Sequence, residues 1–333
     1  MSDNEQIVIK SLPQGKLRAE DYERVVTPMP VVEAGTVLVK TDAFAITAGT
    51  RAGLQGSASY AGAPTTGLVM GSTGVGTVVE SQAAGLSVGD QVLTSTGWQQ
   101  FSVQKAGAVE KIPAAHNAVD YLGPLGVNGL TAYFGLLEVG QAQSGQTVMV
   151  SAAAGSVGHL VGQIAKIQGC QVVGVAGSDV KNARLVDELG FDVAVNYKSG
   201  DYRIALKEAT PKGVDVYFDN TGGFVLGSAL FRMNVGGRIA CCGVVSQYDT
   251  SAPEPGPKGI PGLLINKRIV MSGFLVFDFA NAYESARAQI AGWLDSGELK
   301  SLTDSVDGLS AAPEAFVDLL AGGNIGTRIV SLT

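Results

Sequence analysis

The chain has 333 residues, 46% of them hydrophobic and 16% charged. That is enough apolar material for a real core and excludes a disordered chain. The length suits two domains or one large one. Acidic residues outnumber basic ones, 30 to 23, for a formal charge of -7, and no basic run is present. A nucleic-acid binder is therefore not expected.

Glycine fills 45 positions, nearly twice its usual ~7% share. It follows no collagen period, so it marks turns and close backbone approaches. Met1–Gly15 carries Asp3 and Glu5 and no apolar core, so no secretory signal is expected. No apolar run reaches the roughly 18 residues of a membrane helix. The cysteines are Cys170, Cys241 and Cys242. A disulfide framework is not expected, and the chain reads as soluble and cytoplasmic.

Residues 1–123 read as β-rich. Thr36–Ala43 alternates with period two, Gly74–Val79 is a second strand, and Val88–Leu93 sets a Gly-Asp turn between apolar pieces. Strands punctuated by glycine predict a small barrel. From Pro124 the texture changes to alternating strand and helix. Thr147–Ser151, Gln171–Ala176, Val193–Tyr197, Asp215–Asp219 and Arg238–Val244 are strands. Val157–Gln168 has helical spacing, with Leu160, Val161, Ile164 and Ile167 on one face, and Val180–Leu189 is stopped by Gly190. This alternation predicts a parallel sheet covered by helices. Residues 253–261 hold four prolines and form a loop. Asn281–Ser296 reads as a helix capped by Asn281, with Glu284 three residues on. The final strand Thr327–Leu332 needs a partner and points back to the first domain.

Strand Thr147–Ser151 runs into Ala152-Ala-Ala-Gly-Ser-Val-Gly158 and then a helix. This is a variant of the dinucleotide fingerprint, with Ala152 where the first glycine often stands. Gly155 lets backbone approach a pyrophosphate, Gly158 permits close helix–strand packing, and the helix start offers Ser156 and Val157 amides to phosphate. The plain alternative is an ordinary tight turn. An NAD site wants an acid at the end of the second strand. Here that strand ends in Ala176-Gly177-Ser178, Asp179 comes later as a helix cap, and Lys181 follows in the first turn. This pattern favours NADP. The plain reading of Lys181 is a solvated surface lysine.

Zinc-assisted oxidation needs three protein ligands, usually Cys and His. The histidines are His116 and His159, and no cysteine precedes Cys170. No metal site is expected: the cysteines read as small core residues and the histidines as surface or capping residues. No G-x-S-x-G elbow is present, so a serine hydrolase is unsupported. Hydride transfer without metal remains, as in reduction of a C=C bond conjugated to a carbonyl.

Several further segments carry a resemblance. They are Met70-Gly-Ser-Thr-Gly-Val-Gly76, Gly129-Leu-Thr-Ala-Tyr-Phe-Gly135, Gly177-Ser-Asp-Val-Lys181, Asn196-Tyr-Lys198, Asp215-Val-Tyr-Phe-Asp-Asn-Thr-Gly-Gly223, Cys242-Gly-Val-Val-Ser-Gln-Tyr248 and Gly323-Asn-Ile-Gly326. With the glycine loop, their order resembles the zinc-independent medium-chain dehydrogenase/reductases, in the prostaglandin reductase and alkenal double-bond reductase group. The likeness is densest over residues 67–333. It implies that Lys181 and Tyr197 contact a 2'-phosphate and that Asn220, Cys242, Gly243 and Ser246 contact the cofactor. Phe274, Leu275 and Val276 match a strand beside the nicotinamide, and Asn324 an amide that contacts it. Tyr248 matches the tyrosine near the nicotinamide ribose and substrate oxygen, the implied catalytic residue. From sequence alone Tyr197 and Tyr248 also read as strand-end aromatics, and Asn220 and Asn324 as turn residues. The family's Asp-Pro-Tyr-Met-Arg run is replaced by Thr47-Ala-Gly-Thr-Arg51, in which only Arg51 survives to border the substrate. The Gly53–Gly67 stretch, rich in Gly, Ala and Ser, is expected to edge a wider pocket.

The resemblance implies an α/β protein. A GroES-like β-barrel domain (1–123, with a C-terminal return over 299–333) joins a Rossmann doubly wound parallel sheet (124–298). The implied activity is NADPH-dependent reduction of the C=C bond of α,β-unsaturated aldehydes and ketones. A zinc-free quinone reductase, a carbonyl reductase and a non-enzymatic nucleotide-binding protein are the alternatives. The apolar strand Ile269–Phe277 and the resemblance point to a homodimer joined edge to edge.

Overall fold

The computed structural model describes residues 3–56, 65–253 and 255–333. Residues 57–64, in the expected pocket edge, lie outside the described residues. Contacts divide the chain into two units. One comprises Met1–Gly123, Asp249–Ser251 and Thr303–Thr333, and the other Pro124–Tyr248 and Ala252–Leu302.

The first unit opens with β1 (Asp3–Ile9) and β2 (Tyr22–Pro28), an antiparallel pair. There follow β3 (Thr36–Ile46), α1 (Gly49–Leu54), β4 (Gly74–Ser81), β5 (Gln91–Thr94), β6 (Phe101–Lys105) and β7 (Glu110–Lys111). β3 pairs with both β4 and β6, as an eleven-residue strand can. It outruns the expected Thr36–Ala43 because Phe44 and Ile46 continue the alternation into the core. Trp98 sits at the centre, its ring 5.1 Å from that of Tyr22, 5.9 Å from Phe44 and 6.0 Å from Phe316. Burying each such side chain is worth roughly 1.5–3 kcal/mol.

The second unit begins with α2 (Val127–Phe134) and continues β8 (Thr147–Ser151), α3 (Gly158–Ile167), β9 (Gln171–Ala176), α4 (Asp179–Asp187), β10 (Val193–Asn196), α5 (Tyr202–Ala209), β11 (Val214–Asp219), α6 (Gly223–Arg232), β12 (Met233–Cys241), α7 (Ile260–Lys267), β13 (Val270–Gly273) and α8 (Tyr283–Asp295). Among the described residues the sheet has six strands in the order β10-β9-β8-β11-β12-β13. All its pairings are parallel. Numbered within the unit, the order is 3-2-1-4-5-6, that of a doubly wound dinucleotide-binding sheet. Every residue of β8 is buried, as a central parallel strand covered on both faces must be.

The chain then returns to the first unit with β14 (Thr303–Asp307), α9 (Ala312–Leu320) and β15 (Thr327–Ser331). β15 pairs antiparallel with β3 and parallel with β14, and α9 brings Phe316 beneath Trp98. Residues 299–302 stay with the second unit, where Gln163 exchanges hydrogen bonds with the Lys300 backbone at 2.8 and 3.0 Å.

Four local expectations change. Ser178, not Asp179, caps α4, its hydroxyl accepting the Lys181 N–H. The Asp179 carboxylate instead accepts from Asn196 Nδ2 at 2.9 Å. Helix α8 starts at Tyr283 without a side-chain cap, because Asn281 is absorbed in the 3₁₀ stretch Val276–Ala282. The strand expected over Ile269–Phe277 ends at Gly273, because the Asp278 carboxylate caps that 3₁₀ stretch by accepting the Leu275 N–H. Phe274, Leu275 and Val276 therefore follow the strand rather than form it. The Pro-rich segment gives way to α7 at Ile260, with Pro261 in the first turn, where its missing N–H costs nothing.

Candidate functional site: the carboxyl ends of the parallel strands

Strand order reverses between β8 and β11, and such a switch point opens a crevice at the strands' carboxyl ends. Here the two ends are tied side to side. Asn220 donates its backbone N–H to Ser151 Oγ at 2.9 Å and its Nδ2 to the Ser151 carbonyl at 2.7 Å. The Ser151 hydroxyl donates to Asp219 at 3.3 Å. The buried Asp219 carboxylate also accepts the Tyr217 hydroxyl at 2.8 Å and the Thr221 and Gly222 amides at 3.0 and 2.9 Å. Burial and the Asp219 charge push the Tyr217 phenol far up, so it stays a donor.

The glycine loop leaves β8 beside this network. Ala152 takes a left-handed φ of +46° where a glycine would be unstrained. Gly155 donates to the Ala152 carbonyl at 2.9 Å, closing the turn. A Cβ on Gly158 would lie 2.3 Å from the Ala152 oxygen and 2.8 Å from Ala153 Cα, so no side chain fits. On Gly155 the nearest atom would be 3.2 Å away. Val157 caps α3, and the amides of Ser156 and Val157 head that helix, where its positive end favours phosphate.

His159 is buried beneath the loop, not at the surface. Its Nδ1 lies 2.8 Å from the Gly155 carbonyl, and its Nε2 accepts the Leu302 N–H at 3.2 Å. The proton therefore resides on Nδ1. Burial lowers its pKa to about 4, so the ring is neutral.

At the ends of β9 and β10, Tyr197 and Lys198 pack against Gly177, and Lys181 follows in the first turn of α4. A Cβ on Gly177 would lie 3.1 Å from the Tyr197 ring and 3.2 Å from Lys198 Cε. Lys198 Nζ is 5.8 Å from the Tyr197 ring centre. Tyr197 is exposed, and Lys181 half-buried in the first turn of α4. No carboxylate stands at the end of β9, and Asp179 is engaged by Asn196.

The turn after β12 folds onto the turn after β11. Cys242 and Gly243 donate to the Asp219 carbonyl at 2.8 and 3.1 Å, and Ser246 to that of Thr221 at 3.1 Å. Tyr248 follows, half-buried, its N–H donating to Val245 at 3.1 Å. Phe274 stacks edge-on against Phe218, with centres 6.2 Å apart. The second unit thus brings together Asn220, Cys242, Gly243 and Ser246. Arg51 and Asn324 belong to the first unit. Arg51 is 1% exposed and ion-paired with Asp249 at 3.1 Å; Asn324 donates to the Gly326 carbonyl at 2.8 Å.

Ser151, Asp219 and Lys198 lay inside segments singled out in the sequence but carried no role of their own there, and His159 was expected beside the glycine loop only as a surface or capping residue. The role of His159 rests on Leu302, 143 positions away, and gives no local signal.

Among the described residues no group of three or more His, Cys, Asp and Glu is placed to hold a metal ion. His116 meets the edge of the Tyr121 ring, and both His159 nitrogens are occupied. Burial pushes the Cys241 and Cys242 thiols up to about 11 and about 12. These side chains do not fit a zinc site.

A doubly wound sheet of this order, carrying a glycine loop at its switch point, defines a dinucleotide-binding protein. Comparison with known proteins narrows the class. A family model described as zinc-binding dehydrogenase matches residues 156–291, and one described as the N-terminal domain of oxidoreductase matches residues 5–112. An NADPH-dependent curcumin reductase of Escherichia coli is 34% identical, over 98% of this chain and 96% of its own. A 2-alkenal reductase (NADP(+)-dependent) of Nicotiana tabacum is 41% identical, over 82% of this chain and 78% of its own. The crystal structure of CurA in complex with NADPH from Vibrio vulnificus superposes with a TM-score of 0.94 at 35% identity, covering 99% of both chains. The chain belongs to the medium-chain dehydrogenase/reductase family, in its zinc-independent reductase group.

Proposed function

We propose that this protein is an NADPH-dependent reductase of C=C bonds conjugated to an aldehyde or ketone. The observation that carries the reading is the cluster at the ends of β9 and β10. Lys198 and the Tyr197 ring pack there on Gly177, Lys181 stands in the first turn of α4, and no strand-end acid is present to bond a free ribose 2'-hydroxyl. Two cations and an aromatic face suit a 2'-phosphate. The glycine loop suits the pyrophosphate, and the names of the relatives support both cofactor and substrate class.

When bound, NADPH supplies a hydride, which adds to the β-carbon of the enone. The chain's part is to hold and polarise. Gly155, Ser156, Val157 and Gly158 hold the pyrophosphate. Asn220, Cys242, Gly243 and Ser246 shape the floor at the switch point, with Phe274, Leu275, Val276 and Asn324 assigned to the nicotinamide. The Tyr248 hydroxyl donates to the substrate's carbonyl oxygen as enolate charge develops, and a proton from water completes the product at the α-carbon.

The edge strand β13, with Val270 exposed, supports a homodimer through that edge. Three free cysteines support a cytoplasmic location, and among the described residues no helix is long and apolar enough to cross a membrane. The test is product analysis with a medium-chain enone, set beside a simple quinone. A saturated ketone supports the reading. An allylic alcohol, or turnover of the quinone alone, overturns it.

A further inference from the structure

Segment 129–135 stood out in the sequence, and the structure gives each of its glycines a reason. A Cβ on Gly129 would lie 1.7 Å from the Pro124 carbonyl oxygen, so helix α2 can start there only against a bare backbone. Gly135 closes α2 and opens a single π-helical turn over Gly135–Val139, in which the Gly140 N–H donates to the Gly135 carbonyl at 2.9 Å. Such turns interrupt α-helices mostly where a function needs them. Here the turn presents a notch. A Cβ on Gly135 would lie 2.4 Å from Phe274 Cζ and 2.6 Å from Phe218 Cε2. The tip of the Phe274 ring therefore rests on bare backbone, edge-on to the Phe218 ring. Five residues further on, the Phe279 ring stacks on Phe134, with centres 4.7 Å apart and planes 5° from parallel. Between these two ring contacts the chain is closed into a turn, the Leu275 N–H donating to the Asp278 carboxylate at 3.3 Å and the Asp278 N–H to the Leu275 carbonyl at 3.1 Å.

We infer that the notch at Gly135 is a seat for Phe274 that sets the backbone of residues 274–276, so that Gly135 and Phe274 act on hydride transfer as positioning residues. The inference rests on the reading of residues 274–276 as the segment beside the nicotinamide. Phe274 serves that segment with its ring turned away, into the end of α2, and leaves the main chain to meet the cofactor. The seat is firm on one side only. Phe218 belongs to the central strand β11 and is wholly buried, whereas Phe274 is half-buried after the edge strand β13. Whatever fills the notch must therefore displace Phe274 and the backbone it carries, since close-packed interiors answer added volume by shifting their least held part. An error of about 1 Å in the placing of a reacting group costs up to roughly 100-fold in rate.

The experiment uses the full-length protein and reads binding and turnover separately. Binding is measured for NADPH and for adenosine 2',5'-bisphosphate, which carries the 2'-phosphate and lacks the nicotinamide; turnover is kcat for an enone. Gly135→Ala fills the notch, and Phe274→Leu removes the ring tip that the new methyl strikes. The expected result for Gly135→Ala is a kcat lowered roughly 10–100-fold, NADPH bound about threefold or more weakly, and a Kd for the bisphosphate within about twofold of wild type. The variant carrying both changes should turn over at least about fivefold faster than Gly135→Ala alone, because the two substitutions share one space. A normal kcat in Gly135→Ala overturns the inference. So does an equal loss of NADPH and bisphosphate binding, which marks general damage to the unit, and so does a double variant no faster than Gly135→Ala. A wild type that leaves the enone unreduced overturns the proposed activity instead; the two binding constants then still decide the seat, since they need no turnover. Should Gly135→Ala fold poorly by circular dichroism, Phe274→Ala empties the seat without a clash, and an intact kcat and NADPH Kd in that variant overturn the inference as well.

Discussion

His159 holds the Gly155 carbonyl on one ring nitrogen, at 2.8 Å, and the Leu302 N–H on the other, at 3.2 Å. Only the neutral ring does both, since imidazolium carries a hydrogen on each nitrogen and accepts nothing. The glycine loop is thus fastened from below to the end of the segment that follows α8.

This arrangement predicts a pH dependence of stability. Burial depresses the His159 pKa from its ordinary 6.5 to about 4. As pH falls below 6.5 the unfolded chain takes up the proton first, and the folded chain only near 4. The group's contribution is therefore level above pH 6.5, falls between 6.5 and about 4, and is level again below. The full loss is about 3 kcal/mol, of which about 2 kcal/mol is expressed between pH 7.5 and 5. Urea unfolding of the wild type and of His159→Asn at those two pH values checks it. The expected outcome is a gap between the two proteins that narrows by about that amount at pH 5; a constant gap rejects the neutral, doubly bonded ring.

Gly158→Ala tests the close packing of the loop. The added methyl meets the Ala152 carbonyl oxygen and the Ala153 backbone, and neither is a flexible side chain that can swing away. We expect a loss of roughly 1–3 kcal/mol in stability and weaker NADPH binding, read by thermal unfolding and fluorescence titration. Gly155→Ala, whose nearest contact is 3.2 Å, is expected to cost less stability than Gly158→Ala. Equal costs would mean that helix–strand packing does not set the requirement at Gly158.

The contrast between these two loop elements reflects what a sequence carries. Strand β8, helix α3 and Gly158 were legible because a buried parallel strand is an unbroken apolar run, a covered helix repeats at 3.6, and close approach demands glycine. The cap of α4 was misread by one residue, since Ser178 and Asp179 are both good caps and only the Asn196 amide decides between them. Asn281 carried a sound capping signature, but the Asp278 turn overrode it. Arg51–Asp249 and His159–Leu302 join residues 198 and 143 positions apart. Such pairings are made by the fold and leave no periodicity behind. Arg51 could be picked out in the sequence, but its partner could not.

Exhaustive chelation is expected to leave activity unchanged, with no stoichiometric zinc by elemental analysis. The grounds are the occupied His159 nitrogens and the high thiol pKa values of Cys241 and Cys242. Zinc needs thiolates or free imidazole nitrogens. One zinc per chain, lost together with activity, overturns this.

For Tyr248→Phe we expect kcat to fall roughly 10–1000-fold, the scale on which loss of one donor to a developing oxyanion is felt. NADPH affinity should change far less, because the ring is kept. Steady-state rates beside equilibrium titration separate the two. An intact kcat would make Tyr248 a packing residue.

Cofactor choice is the most direct test of the cluster at the ends of β9 and β10. A 2'-phosphate carries charge that NADH lacks, so removing a cation beside it weakens NADPH alone. Lys181→Ala is expected to cost roughly 1–3 kcal/mol of NADPH binding, the range of a charge-assisted hydrogen bond, and to leave NADH binding nearly unchanged. Lys198 lies over the Tyr197 ring, 5.8 Å from its centre, and offers a second cation. The double variant Lys181→Ala/Lys198→Ala should therefore lose more than either single one and bind the two cofactors with nearly equal affinity. Added salt should weaken NADPH binding to the wild type and matter little to the double variant, since screening acts on exposed charges. Titration with both cofactors at two ionic strengths reads all of this. A wild type that binds NADPH and NADH alike rejects the assignment, because the absence of an acid at the end of β9 would then have no counterpart in selectivity.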